Sequence, residues 1–281
     1  MILYYHVDGD NMKTLWQASK PLTAMGLVMI PVFLLTLVGM GLDGRTIAGA
    51  PAWLKPAKFA ISTAIYALTL AWIFTYLTQW ERLKAITGWV TAVVLVIEVG
   101  IICLQAARGT TSHFNVGTPL DSILFSIMGV GILMVLAASA AIAWALFQQP
   151  FPDPAMGWAI RLGVLITVVG SATGGFMVRP TEGQLEQARL TQRMTVAGAH
   201  TVGAPDGGAG MPGTGWSREH GDLRVPHFIG LHAMQVLPLF AWLLGRNRPT
   251  LVVLAGTAYA GLYVILLMQA LRGRPFLGGV L

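Results

Sequence analysis

Residues 122–147 read SILFSIMGVGILMVLAASAAIAWALF, a run of 26 residues without a charged side chain. A bilayer core about 30 Å thick is crossed by a helix of roughly 20 apolar residues, so this run is long enough to span a membrane. A transmembrane barrel would instead show alternating segments of about ten residues. The run therefore predicts a membrane-spanning α-helix and decides the class of the chain.

The rest of the chain repeats this pattern on both sides of that run. The sequence is 55% hydrophobic and only 11% charged, less than half the roughly 25% charged content of a soluble domain. We predict an all-α integral membrane bundle of about seven helices, forming one transmembrane domain over residues 1–281 with a lid loop at 179–226. The other six predicted spans are 22–42, 59–79, 86–107, 157–178, 227–244 and 251–271.

The basic residues are scattered at the ends of these spans, although the net charge is +6 and the pI is about 9.8. Nucleic-acid binding would favour a contiguous basic patch with interleaved aromatic residues, and the sequence has none. Loop cations commonly set topology and meet lipid headgroups, which is how we interpret Lys55 and Lys58. We therefore expect membrane lipids as partners and no nucleic acid.

The lid loop is glycine-rich and carries histidines into the sixth span. Residues 198–235 read GAHTVGAPDGGAGMPGTGWSREHGDLRVPHFIGLHAMQ and hold four of the six histidines of the chain. A capping box of the Thr-x-x-Gln form at 181–184 predicts a short amphipathic helix before the glycines. We expect an ordered lid, and the residues that it brings to the site are His200, His227, His232 and Gln235.

The third span carries Glu98 near its midpoint. An ionisable side chain at that depth is by default a functional candidate, although protonation in a packed interface would also explain it. Glu98 and Gln105 are seven residues apart and face within about 20° of each other on a helix. Tyr66 belongs to a polar stripe on the second span, which favours either inter-helix hydrogen bonding or a lined path.

The turn after the third span concentrates reactive side chains. Arg108, His113 and Asp121 fall within fourteen residues, together with an amide and four hydroxyl groups. A guanidinium clamps a carboxylate or phosphate with two parallel hydrogen bonds, so Arg108 is predicted to anchor an anionic group. With seven spans, this turn and the lid loop lie on the same side, which predicts one site near one membrane surface.

Three runs resemble a set of bacterial multi-pass membrane proteins: WLKPAKF at 53–59, ARGTTSHFN at 107–115, and GAHTVGAPDGG with GDLRVPHFIGLHAMQ between 198 and 235. The resemblance covers most of the chain and implies a location in the bacterial cytoplasmic membrane. It implies no activity.

The first function that these patterns favour is a haem- or metal-dependent oxidoreductase. His113, His227, His232 and His200 would supply imidazole ligands for haem or for copper, iron or zinc, and Gln235 would lie beside the cofactor. Glu98 and Tyr66 would form a proton or quinone path.

Two alternatives remain open. In a zinc-dependent hydrolase of lipid-like substrates, three histidines would hold the metal and Asp121 or Asp222 would act as the base. Seven-helix lipid hydrolases resemble this inventory, with Ser112 and His113 in reach, but their paired histidines are four residues apart and His227 and His232 are five apart. In a transporter or assembly factor, Glu98 would line a path.

Overall fold

The computed structural model describes residues 11–244 and 248–277. Most of these residues are helical, which confirms the all-α class. The helices are α1 Asn11–Ala18, α2 Lys20–Leu42, α3 Leu54–Tyr76, α4 Glu81–Ala107, α5 Pro119–Gln148, α6 Pro154–Ala172, α7 Gly174–Met177, α8 Glu182–Thr191, α9 Arg224–Leu231, α10 Ala233–Leu244 and α11 Pro249–Leu271. Two short antiparallel pairs join β1 Thr46–Ile47 to β2 Ala50–Pro51 and β3 Thr201–Val202 to β4 Gly221–Asp222.

Six of these helices are long and apolar enough to cross a membrane, and the bent pair α9–α10 makes a seventh if it counts as one span. The helices pack chiefly as α2 on α3, α4 on α5, and α6 on both α10 and α11. The main core lies between α2, α3, α5 and α6, where Leu22, Phe74, Ile142 and Ile160 are fully buried.

The sixth predicted span, 227–244, is not one continuous helix. It begins earlier, at Arg224, and bends by 45° between α9 and α10 at His232. Thr167 of α6 compensates for the break, since its hydroxyl lies 3.3 Å from the Gly230 carbonyl oxygen and accepts from the Met234 amide at 3.3 Å. A broken helix inside an apolar bundle needs such partners for its freed backbone groups.

The fifth predicted span, 157–178, lies within an apolar helical segment that begins earlier, at Pro154, and is interrupted at Thr173 between α6 and the four-residue α7. Its glycines allow close packing, as the small-residue spacing predicts. A Cβ atom added to Gly170 would lie 2.5 Å from the Cα atom of Gly230, and one added to Gly163 would lie 2.9 Å from the Ala233 carbonyl oxygen. The helices α6 and α9 therefore approach at their backbones.

The lid loop is ordered by contacts at both ends. The predicted capping box and short helix are confirmed, with Thr181 and Gln184 capping each other at the start of α8. Trp216 packs on the rings of Phe228 and Phe276 at 5.5 and 5.7 Å. The Lys58 ammonium group, which we expected at lipid headgroups, instead donates to the Thr214 carbonyl oxygen at 2.9 Å.

Candidate functional site

One end of the bundle gathers titratable groups from five parts of the chain. They come from the first turn of α3, the middle of α4, the turn after α4, the lid loop and α9, and they interact electrostatically with one another. The residues are Lys55, Glu98, His113, His200 and His227. The sequence predicts all of these residues at the site except Lys55.

Phe114 joins the turn after α4 to the lid loop. Its ring lies 6.1 Å from the His113 ring and 4.9 Å from the His200 ring. The lid backbone approaches so closely that a Cβ atom on Gly198 would lie 2.7 Å from the Phe114 ring, and Gly198 also has a φ of +122°. Only glycine adopts that conformation readily, so Gly198 allows the lid loop to pack against Phe114.

The buried Glu98 lies beside His113, whose side chain is partly buried. The His113 Nε2 atom lies 3.6 Å from Glu98 Oε1, and the Glu98 side chain is 3% exposed. The other ring nitrogen, Nδ1, is 3.2 Å from the Ser112 hydroxyl. Burial lowers the pKa of His113 well below its usual value, and the nearby Lys55 lowers it further. His113 is therefore neutral at pH 7, with Nδ1 hydrogen-bonded to Ser112 and Nε2 near Glu98 but beyond hydrogen-bonding distance.

His200 is held by Asp206. Its Nδ1 lies 2.7 Å from Asp206 Oδ2, and the same carboxylate accepts from the amides of His200 and Thr201. Burial lowers the pKa of His200 despite this carboxylate. Burial alone would raise the pKa of Asp206, but the hydrogen bonds and charge of His200 outweigh it and lower the pKa. Nδ1 therefore donates to an ionised carboxylate and Nε2 keeps its lone pair.

Replacing Asp206 by asparagine is expected to loosen the lid loop. The carboxylate is 35% exposed, so solvent screening limits the stabilisation from its hydrogen bonds to about 1 kcal/mol. Loss of that stabilisation should make tryptic cleavage at Arg218 roughly fivefold faster in the variant than in the wild type. Because the folded pKa is depressed, this protection is present above the ordinary value of 3.8 and is lost as the pH falls below it. The asparagine variant lacks that pH dependence. Glu219→Gln, in the same loop, is the control, and cleavage of Asp206→Asn at the wild-type rate contradicts the assignment.

His227 and His232 each use Nδ1 to bind a backbone carbonyl oxygen. His227 bonds Gly170 at 2.8 Å, and His232 bonds Phe228 at 2.8 Å while its ring lies 4.0 Å from the Phe228 ring. A carbonyl oxygen only accepts, so both Nδ1 atoms carry the proton. In the neutral form of either ring, Nε2 is the acceptor nitrogen, and no hydrogen bond to it is present among the described residues.

Arg108 and Asp121 bond to each other in the structure. The Arg108 guanidinium lies 2.6 Å from Asp121 Oδ1, Gln105 donates to the same oxygen at 2.8 Å, and the Thr118 hydroxyl donates to Oδ2 at 2.6 Å. Asp121 is 4% exposed. The cluster ties the end of α4 to the start of α5, which explains its buried charge without a ligand.

Tyr66 and Gln235 also make contacts between helices. The Tyr66 hydroxyl lies 2.9 Å from the Ser139 hydroxyl, joining α3 to α5, and the Gln235 amide donates to the Thr69 hydroxyl at 3.3 Å, joining α10 to α3. Asp222 accepts from Ser217 and Arg224 at the start of α9. Through these bonds Tyr66, Gln235 and Asp222 stabilise the packing of the helices.

Sequence reasoning missed two members of the group. The charge of Lys55 acts on the Glu98 carboxyl group, and the Asp206 carboxylate orients the His200 ring. The Pro-Asp-Gly-Gly run at 205–208 is a turn signal that would have returned Asp206 toward His200.

Within residues 11–244 and 248–277, no group of three or more His, Cys, Asp or Glu side chains is arranged to hold a metal ion. Comparison with protein-family models, with curated proteins and with solved structures finds no match for this chain.

Proposed function

We propose that this chain is a multi-pass membrane protein that binds haem between histidines at one end of its bundle and acts as an oxidoreductase. Insertion in a membrane is supported by the outward faces of the helices, which expose large apolar side chains such as Leu133 at 65% and Ile265 at 64%. Exposed apolar surface of this extent is the mark of a lipid-facing protein. The proposed location is the bacterial cytoplasmic membrane, as the resemblance of the three sequence runs implies.

The observation that carries the proposal is the shared hydrogen bonding of three imidazoles. His200, His227 and His232 each bind an acceptor through Nδ1, namely a carboxylate and two carbonyl oxygens. Histidines that ligate metals nearly always donate their other ring N–H to such a group, which fixes the tautomer and the ring orientation. All three side chains are therefore prepared to ligate through Nε2.

The number of available ligands favours haem over zinc. A zinc site takes three or four protein ligands, whereas the described residues contain no group of three that fits an ion. Haem would need only one or two histidine ligands, so two histidines on different elements would suffice to hold it. His227 of α9 and His200 of the lid loop meet that condition, whereas His232 caps the same helix that carries His227.

The remaining polar groups suit proton exchange beside such a cofactor. Glu98 and His113 are in contact, His113 is neutral, and Lys55 supplies a positive charge near both. A quinone or similar lipid-soluble redox partner would reach this site from the membrane. The role of His113 in this proposal is acid and base catalysis, because its Nδ1 is bonded to Ser112 and its Nε2 lies beside Glu98.

A second candidate function follows from the same residues. Ser112, His113 and Glu98 form a chain of contacts at 3.2 and 3.6 Å, the order of nucleophile, base and orienting carboxylate found in acyl-transfer enzymes. Ser112 would then attack a lipid ester or amide, and neither metal nor haem would be involved.

The test is an absorption spectrum of the detergent-purified protein, oxidised and reduced, with haem and metal content measured on the same sample. We expect about one haem per chain and a reduced spectrum of the b type. A colourless, folded protein that reacts at Ser112 with a fluorophosphonate would replace the oxidoreductase with the hydrolase. A folded protein with neither property contradicts both.

A further inference from the structure

One buried face of α4 carries a polar residue every seven positions. Lys84, Thr91, Glu98 and Gln105 are all buried, at 9%, 0%, 2% and 0% exposure. Seven residues are about two helical turns, so the four side chains drift by only about 20° per step while rising roughly 10 Å. The row runs from the end of the bundle opposite the lid loop up to the candidate site, a length comparable to the apolar thickness of a bilayer.

Three buried oxygen atoms on or beside this row have no partner among the described residues: Thr23 Oγ1, Thr91 Oγ1 and Glu98 Oε2. The two threonines are unusual in this respect. A threonine in an apolar helix commonly satisfies its hydroxyl with a carbonyl oxygen one turn earlier, as Thr87 and Thr257 do here. Buried hydroxyls without such a bond call for ordered water.

The two unsatisfied threonines lie at the same level. Helices α2 and α4 run in the same direction across the bundle, and a Cβ atom on Gly88 would lie 2.9 Å from the Ser19 hydroxyl. Thr23 is four residues after Ser19 and Thr91 is three residues after Gly88, so both hydroxyls stand about one turn above that contact. They bracket one stretch of the interface between α2 and α4.

The structure assigns this row as a proton path, which we propose leads from the surface opposite the lid loop to Glu98 and His113. Water held by Thr23 and Thr91 would carry a proton from the Lys84 end to Glu98 Oε2. The Glu98 carboxylate would take up that proton at Oε2, and His113, whose Nε2 lies 3.6 Å from Glu98 Oε1, is the next titratable group toward the lid loop. At the outer end, Lys84 pairs with Glu81 at 2.6 Å, and Glu81 is largely exposed.

The titratable groups near Glu98 agree with proton transfer from the Lys84 end toward the lid loop. Lys55 approaches from α3 and His113 from the turn above. Helices α2 and α5 also pack on α4, and their only titratable residues are Lys20 and Asp121, the second of which is bonded to Arg108. Tyr66 does not belong to the row, because its hydroxyl is bonded to Ser139 between α3 and α5.

The test follows protonation of Glu98 by infrared spectroscopy in proteoliposomes with one orientation, checked by protease cleavage of the lid loop. The carboxylic C=O band that disappears in Glu98→Gln reports Glu98. We expect this band to rise when the pH is lowered on the Lys84 side, and to rise about tenfold more slowly in Thr91→Val, which loses the hydroxyl that anchors water. Thr257→Val, on the exposed face of α11, is the matched control and should respond like the wild type.

Three results would overturn the path: a faster response to acid on the lid side, an unchanged rate in Thr91→Val, or no Glu98 band at any pH. The proton path rests on the proposed function only in its last step, where the oxidoreductase would consume the proton. The infrared signal needs neither haem nor turnover, so a haem-free protein with a one-sided response would retain the path and lose the oxidoreductase.

Discussion

Replacing Gly170 by alanine is expected to disrupt the packing of α6 on α9 and to destabilise the protein. The added methyl group would lie 2.5 Å from the Gly230 Cα atom and 2.7 Å from its carbonyl carbon, and neither can move aside as a side chain would. Overpacking of a well-packed interior costs about 1–3 kcal/mol, and a clash between two backbones belongs at or above the upper end of that range. We expect the melting temperature in detergent to fall by about 5 °C or more, or the protein to be lost during purification.

The matched control is Gly129→Ala on α5, where an added Cβ atom meets nothing within 4 Å. Alanine is the better helix former by about 1 kcal/mol, so this variant should be as stable as the wild type or slightly more so. Equal melting temperatures for Gly170→Ala and Gly129→Ala would show that α6 and α9 are not packed at their backbones. The position of His227 would then be in doubt as well, because Gly170 supplies its carbonyl partner.

The long helices were predictable because a run of apolar residues long enough to span a bilayer is a local property of the sequence. The bend at His232 was not, since the only proline in α10, Pro238, lies six residues beyond it. The bend coincides with the approach of Gly230 to Gly170 and with the hydroxyl of Thr167 on another helix. A kink made by tertiary contacts leaves no signal in the segment that bends.

The gathering of histidines at one end was predictable from topology alone, because an odd number of spans fixes which loops share a side. Which groups bind each other was not. Arg108 and Asp121 carry the charges suited to an anion site, yet they lie across one turn and bond to each other. Lys55 is a plausible headgroup contact by its position, and only the packing of α3 on α4 turns it toward Glu98.

Replacing His227 by alanine is expected to abolish haem binding. The imidazole is fixed through Gly170 with Nε2 free, and haem held by one remaining histidine loses an axial bond and the geometry that the pair imposes. We expect the haem content to fall at least about tenfold, the scale on which even the partners of ligands act. His200→Ala should match it, while His220→Ala, in the same lid loop, should retain haem with unchanged band positions.

Loss of haem in His227→Ala has a second explanation, since the Gly170 carbonyl group loses its donor and the contact between α6 and α9 could loosen. His227→Gly with added imidazole separates the two. If His227 is a ligand, free imidazole enters the vacated space, binds the iron and restores the wild-type spectrum. If His227 only holds α9 against α6, added imidazole does not restore haem binding. The melting temperatures of Gly170→Ala and His227→Gly should then fall by similar amounts. Retention of haem and of the wild-type bands in His227→Ala would remove His227 from the ligand pair and leave His200 with His232 as the pair to test next.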